Sequence, residues 1–141
     1  MTDNSHSCQA LVLTCIDFRF HEQIARLLHD QGLESFDLKC DAGAVKYLVS
    51  NEKPEVKNWI LENFRIAQGL HHIQRAILIN HYDCGAYGGN AAFKSHAQQL
   101  EFHKNQLMQA KDLLKNEFPG LHVDTYFAAL EEESRVKLVA I

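Results

Sequence analysis

Two stretches constrain this chain most: ALVLTC (10–15) and RAILIN (75–80) are short, continuous apolar runs closed by polar residues. A strand with one wet face alternates, whereas a strand covered on both faces reads as an unbroken apolar run. After the first run, Ile24, Leu27 and Leu28 recur at helical spacing until Gly32, a C-terminal stop. FDLKC (36–40) alternates and reads as a second strand leading into Ala42-Gly43. Pro54 suits a helix start, and Val56, Trp59, Ile60, Phe64 and Ala67 mark one face as far as Gly69. RAILIN is then the third strand. Phe93, Ala97, Leu100, Leu107 and Leu114 give the inward face of a long helix over about 91–118, stopped by Pro119-Gly120. LHVDTYFAA (121–129) and RVKLVAI (135–141) complete the set as fourth and fifth strands.

Strands alternating with helices predict an α/β fold, a mostly parallel sheet with right-handed crossovers and helices on both faces. The last two strands are separated only by EEESR (131–135), too short for a crossover, so the C-terminal strand is expected to pair antiparallel with the fourth. A chain of 141 residues is the size of one domain, expected to span 1–141. The net charge of -4 offers no basic stripe to phosphate backbones, so nucleic acid is not an expected partner. No apolar run is long enough to cross a bilayer, and the start MTDNSHS lacks the apolar core of a secretory signal. A cytoplasmic protein without membrane partners is expected. In a reducing compartment the four dispersed cysteines point to metal binding or catalysis rather than a disulfide framework.

In parallel sheets, ligands gather beyond the carboxyl ends of strands where the winding reverses. With strand order 2-1-3-4, the ends of strands one and three are neighbours. The first carries Cys15, Asp17 and Arg19; the third carries His81 and Cys84. Two thiolates and one imidazole form a donor set suited to zinc, and three protein ligands leave a fourth position for water. Taken singly, each has a plainer reading: a small buried hydrophobe for a cysteine, a turn residue for His81, a solvated surface pair for Asp17 and Arg19. In the functional reading Arg19 holds Asp17 ionised, as a hydrogen-bond acceptor for the metal-bound water. A phosphatase-type nucleophile at Cys15 is disfavoured, because the three residues before Arg19 contain no glycine and are too few to wrap a phosphate.

The C-x-D-x-R of TCIDFR, the Ala-Gly of CDAGA and the H-x-x-C-G of NHYDCG together resemble the β-class carbonic anhydrases over residues 10–90. Beyond residue 91 the resemblance rests on the strand and helix pattern. It implies a 2-1-3-4 sheet with an added antiparallel strand, in a homodimer or higher homo-oligomer whose active site lies near the dimer interface. It implies Cys15, His81 and Cys84 as zinc ligands and Asp17 with Arg19 as a catalytic dyad. The implied reaction is zinc-hydroxide attack on carbon dioxide, a small-molecule substrate, to give bicarbonate. Two thiolates already neutralise Zn²⁺, so activity is expected to rise toward alkaline pH. In some members the aspartate leaves its arginine and takes the fourth zinc position. His21, His71 and His72 are candidate proton shuttles.

The chain departs from the family pattern at Cys40 and Asp41 before the Ala-Gly, at Ala44 after it, and at Phe18, where a small residue is usual. With the first strand starting near residue 10, no N-terminal helical arm around a partner subunit is expected, and a glutamine of some members upstream of the first motif has no counterpart. Two competing readings keep the metal. One is a hydrolase of a related linear substrate, carbonyl sulfide or carbon disulfide. The other is a noncatalytic zinc-binding or assembly module.

Overall fold

Every β1 residue, Ala10–Thr14, is buried, as a strand covered on both faces must be. This computed structural model describes residues 6–141; the N-terminal reading of MTDNSHS therefore falls largely outside the described residues. Its remaining elements are α1 (His21–Asp30), β2 (Phe36–Cys40), α2 (Lys46–Val49), α3 (Pro54–His71), β3 (Arg75–His81), α4 (His96–Glu117), β4 (His122–Leu130) and β5 (Val136–Ala140). The sheet order is β2-β1-β3-β4-β5, parallel except for the antiparallel β4–β5 pair. This is the architecture expected from the alternation of strands and helices.

The two faces of β1 and β3 feed separate cores. Leu11, Leu13, Ala76 and Leu78 pack against α2, α3 and α4 through Leu48, Phe64, Leu107 and Leu114. Ala10, Val12, Ile77 and Ile79 pack against α1 through Ile24 and Leu28. Period-two side-chain alternation makes this division, and burial on both sides explains why neither run alternates in polarity.

Two helices differ from expectation. Helix α3 runs through Gly69 to His71 and is closed by His72 in the left-handed conformation, φ 55°. Its inward face is Ile60, Leu61, Phe64 and Ala67, which turns Trp59 outward at 56% exposure. Helix α4 starts later than expected, at His96, because the Ser95 hydroxyl accepts the Gln98 amide as an N-cap. Its inward face is Gln99, His103, Leu107, Ala110 and Leu114, while Ala97 is exposed. Two polar residues occupy core positions there, so a face read from apolar residues alone starts in the wrong register. Among the described residues no helix is long and apolar enough to cross a membrane.

Candidate metal centre

Neighbouring strands β1 and β3 are paired with Leu13 opposite Leu78, so the residues just past both strands meet at one end of the sheet. Cys15 follows β1 directly, His81 ends β3, and Cys84 follows the turn at Tyr82 and Asp83. The two sulfurs lie 3.9 Å apart, and donors from all three residues lie within 4.8 Å of one another. All three residues are buried.

Each donor is aimed by its surroundings. His81 is 1% exposed; its Nδ1–H donates to the Tyr82 carbonyl at 2.7 Å, and its Nε2 has no hydrogen-bond partner. An unpartnered ring nitrogen in a buried site is costly, and an imidazole fixed through its other nitrogen is how metal-ligating histidines are held. Phe20 packs on the ring, centroids 4.3 Å apart. The Gly43 amide donates to the Cys15 sulfur at 3.4 Å. That approach requires glycine: φ is +83°, and a Cβ would stand 2.9 Å from Lys46 Cβ and 3.1 Å from Ala86 Cβ. The hydrogen bond between the sulfurs pushes the Cys15 thiol down and the Cys84 thiol up, so the pair shares one proton.

These residues fit zinc. Tetrahedral bonds of about 2.3 Å to two sulfurs put those sulfurs roughly 3.8 Å apart, close to the separation present. The donor set is two cysteine sulfurs and one imidazole nitrogen, with the remaining side open to a cleft of about 530 Å³ lined by Ile16, Asp17, Phe18, Arg19, Ala42 and Ala86.

Asp17 and Arg19 meet beside that opening. Arg19 Nη2 donates to Asp17 Oδ2 at 2.6 Å and Nε to Oδ1 at 3.0 Å, while the Arg19 backbone amide donates to Oδ1 at 3.0 Å. The guanidinium hydrogen bonds hold the Asp17 carboxyl down to about 2 and raise Arg19 further above its already high value. Asp17 Oδ2 is 3.8 Å from His81 Nε2, which places the carboxylate next to the donor cluster. Phe18, between the two, points outward at 86% exposure and does not crowd the dyad.

Asp83, which is not among the residues expected from the sequence, joins this pair. Arg19 Nη1 donates to its carboxylate at 3.1 Å and Nη2 to its carbonyl at 3.0 Å, so Arg19 bridges two acids. Asp83 has φ 58°; its amide donates to Gln99 Oε1 at 2.7 Å, and its Oδ1 accepts the Asn90 amide at 2.8 Å. Those bonds fasten the loop carrying Cys84 to α4. The available signal was the position of Asp83 inside H-x-x-C, one residue before a proposed ligand. Cys40 and Asp41 stay at the edge: Asp41 pairs with Lys39 at 3.3 Å, and burial pushes the Cys40 thiol up. Of the three histidines considered as shuttles, only His21 is close, with Nε2 3.3 Å from the Cys15 carbonyl oxygen; His71 and His72 lie at the far end of α3.

His103 lies under this loop, fully buried. Asn80 Nδ2 donates to its Nδ1 at 3.0 Å, and Phe127 stacks on its ring. Burial lowers its pKa to about 4. The unfolded chain therefore binds a proton near pH 6.5 that the folded chain refuses, and stability is lost as pH falls below that value. Urea midpoints are expected to reveal a loss of about 2 kcal/mol between pH 6.5 and 5, flattened in His103→Gln. An equal slope in both proteins would assign the loss to other groups.

A family model described as "Putative carbonic anhydrase" matches residues 5–140. The chain belongs to that family. Uncharacterized relatives occur in Rickettsia bellii, 30% identical over 130 residues (89% of this chain, 79% of that one), and in Rickettsia conorii, 28% identical over 130 residues (89% and 70%). A tetrameric β-carbonic anhydrase of the ascomycete Sordaria macrospora superposes with a TM-score of 0.54 at 15% identity, covering 96% of this chain and 82% of that one. At that identity the likeness is one of fold, and it agrees with the β-class resemblance of the three sequence motifs.

Proposed function

We propose that this member of the carbonic anhydrase family is a zinc enzyme that hydrates carbon dioxide reversibly to bicarbonate, with residues 1–141 acting as one domain. The observation that carries the reading is the buried Cys15, His81 and Cys84 cluster with its unpartnered His81 Nε2. Zinc held there supplies Lewis acidity that lowers the pKa of water toward the physiological range.

The chain's own residues supply the rest. Arg19 grips Asp17 through two side-chain donors, so the carboxylate keeps its charge and a single orientation. From there Asp17, staying ionised, accepts a hydrogen bond from the attacking water and so turns an oxygen lone pair toward the cleft. Ile16, Phe18 and Ala42 give that cleft an apolar lining suited to a small, uncharged, linear substrate. His21, exposed beside the Cys15 carbonyl, is the histidine placed to pass a proton to solvent. The fold shared with a tetrameric enzyme supports a homo-oligomeric assembly.

Two thiolates cancel the charge of Zn²⁺, so hydration followed by stopped flow is expected to increase between about pH 7 and 9. Metal analysis on the same samples completes the test. Zinc-loaded protein that fails to hydrate carbon dioxide at alkaline pH would overturn the assignment and favour a relative such as carbonyl sulfide, or a noncatalytic module. Protein that takes up no zinc would overturn the metal centre itself.

A further inference from the structure

A second group of donors converges at the other end of the sheet. Cys8 precedes β1, Asp37 lies on β2 and His71 ends α3. The Cys8 thiol, an Asp37 carboxylate oxygen and a His71 ring nitrogen lie within 4.8 Å of one another. Seven residues of extended chain separate Cys8 from Cys15, about 23 Å, so the two groups do not share a site.

The backbones that carry these donors are already fixed. The Cys8 amide donates to the His71 carbonyl at 3.0 Å and the Gln9 amide to the Ser35 carbonyl at 3.1 Å, tying the segment before β1 to α3 and to the start of β2. The His71 ring is held at both nitrogens: Nδ1 is 2.6 Å from Asp37 Oδ2, and Nε2 is 3.2 Å from His6 Nε2. A ring fixed through Nε2 presents Nδ1 in one direction, toward the carboxylate and the thiol. The group borders a cleft of about 170 Å³ with His6 and Ser7.

A thiol, an imidazole and a carboxylate are the S, N and O donors that a borderline-soft divalent ion accepts. We propose that Cys8, Asp37 and His71 form a second divalent-metal site of the zinc class, with His6 positioning the His71 ring. The ion replaces the hydrogen bond between Nδ1 and Oδ2, which part from 2.6 Å to roughly 3.3 Å; the single ring proton sits on Nε2, and the Cys8 thiol proton leaves to solvent. His71 keeps its Nε2–H, donated to His6, and the remaining position faces the cleft. Such an ion links the segment before β1, the edge strand β2 and the end of α3. Because its ligands are half-buried, it exchanges with added chelator faster than an ion at the buried centre.

Titration of metal-free, full-length protein with cobalt(II), followed by metal analysis after desalting, tests this. Wild type is expected to retain two equivalents, and Cys8→Ser and His71→Ala one each. The double variant Cys15→Ser/Cys84→Ser is expected to keep one equivalent with a thiolate-to-cobalt charge-transfer band, which disappears when Cys8→Ser is added. Wild type that retains one equivalent overturns the site, as does a second equivalent seen only at millimolar metal. Unchanged stoichiometry in Cys8→Ser and His71→Ala does so too. Those two single variants decide the question even where the double variant fails to fold, and the band assigns the thiolate without reference to carbon dioxide hydration.

Discussion

Cys84→Ser is expected to lose the metal of the buried centre and, with it, carbon dioxide hydration. The substitution changes one atom in a site whose shape is otherwise kept, since the turn amides of Ala86 and Tyr87 still face that position. A serine hydroxyl stays protonated where a thiol becomes a thiolate, so the site loses one negative charge and its second soft donor. Removing a partner that only orients a ligand costs about 10–100-fold in metal affinity, and loss of a ligand itself should exceed about 100-fold. Hydration at pH 9 should fall in proportion to zinc content. Metal per chain should drop from the two equivalents expected of wild type to one, while His71→Ala should make the same drop with hydration intact. A Cys84→Ser protein that keeps both its zinc and its hydration rate would remove Cys84 from the metal centre.

The contrast between those two variants reflects what the sequence made legible. Cys15, His81 and Cys84 could be read together because β1 and β3 are continuous apolar runs, which identify them as central parallel strands whose ends must be neighbours. Strand order then converted a separation of 69 residues between Cys15 and Cys84 into a contact. Asp83 and Gln99 offered no such handle. A polar residue on a helix face reads as solvent-facing, and Gln99 is tolerable inside only because the Asp83 amide and the Asn90 carboxamide meet both ends of its side chain. The same holds for His103, whose partner Asn80 sits on β3. The Cys8, Asp37 and His71 group was illegible for another reason: its members enter from an edge strand, a helix end and a terminal segment, and no strand-end rule brings those together. Trp59 stands outside the buried stripe because it lies one position before Ile60, about 100° or more than a quarter of a turn away around the helix.

Asp17→Asn separates orientation from metal binding. The amide is isosteric with the carboxylate and Asp17 is not among the three buried donors, so zinc content should remain that of wild type. What changes is the hydrogen-bonding sense. Arg19 donates to both carboxylate oxygens, so an amide oxygen at the Oδ1 position keeps the bonds from Nε and the residue 19 amide, while its NH₂ takes the Oδ2 position, opposes the Nη2 donor and faces the side 3.8 Å from His81 Nε2. An acceptor for the proton of the attacking water becomes a donor. A fall in kcat/KM of about 100-fold is expected, the order of what one positioned hydrogen-bonding group contributes. Arg19→Ala leaves the carboxylate held only by the residue 19 backbone amide on Oδ1, without the guanidinium that orients Oδ2, and should cost less, about tenfold, with the loss mainly in kcat. Arg19→Lys keeps the positive charge but loses the planar fork that reaches Asp17 and Asp83 at once, so it should resemble Arg19→Ala. If Arg19→Lys instead matches wild type, charge alone is what Asp17 needs. If Asp17→Asn hydrates carbon dioxide at the wild-type rate with full zinc, the pair is a surface ion pair beside the centre and takes no part in the reaction.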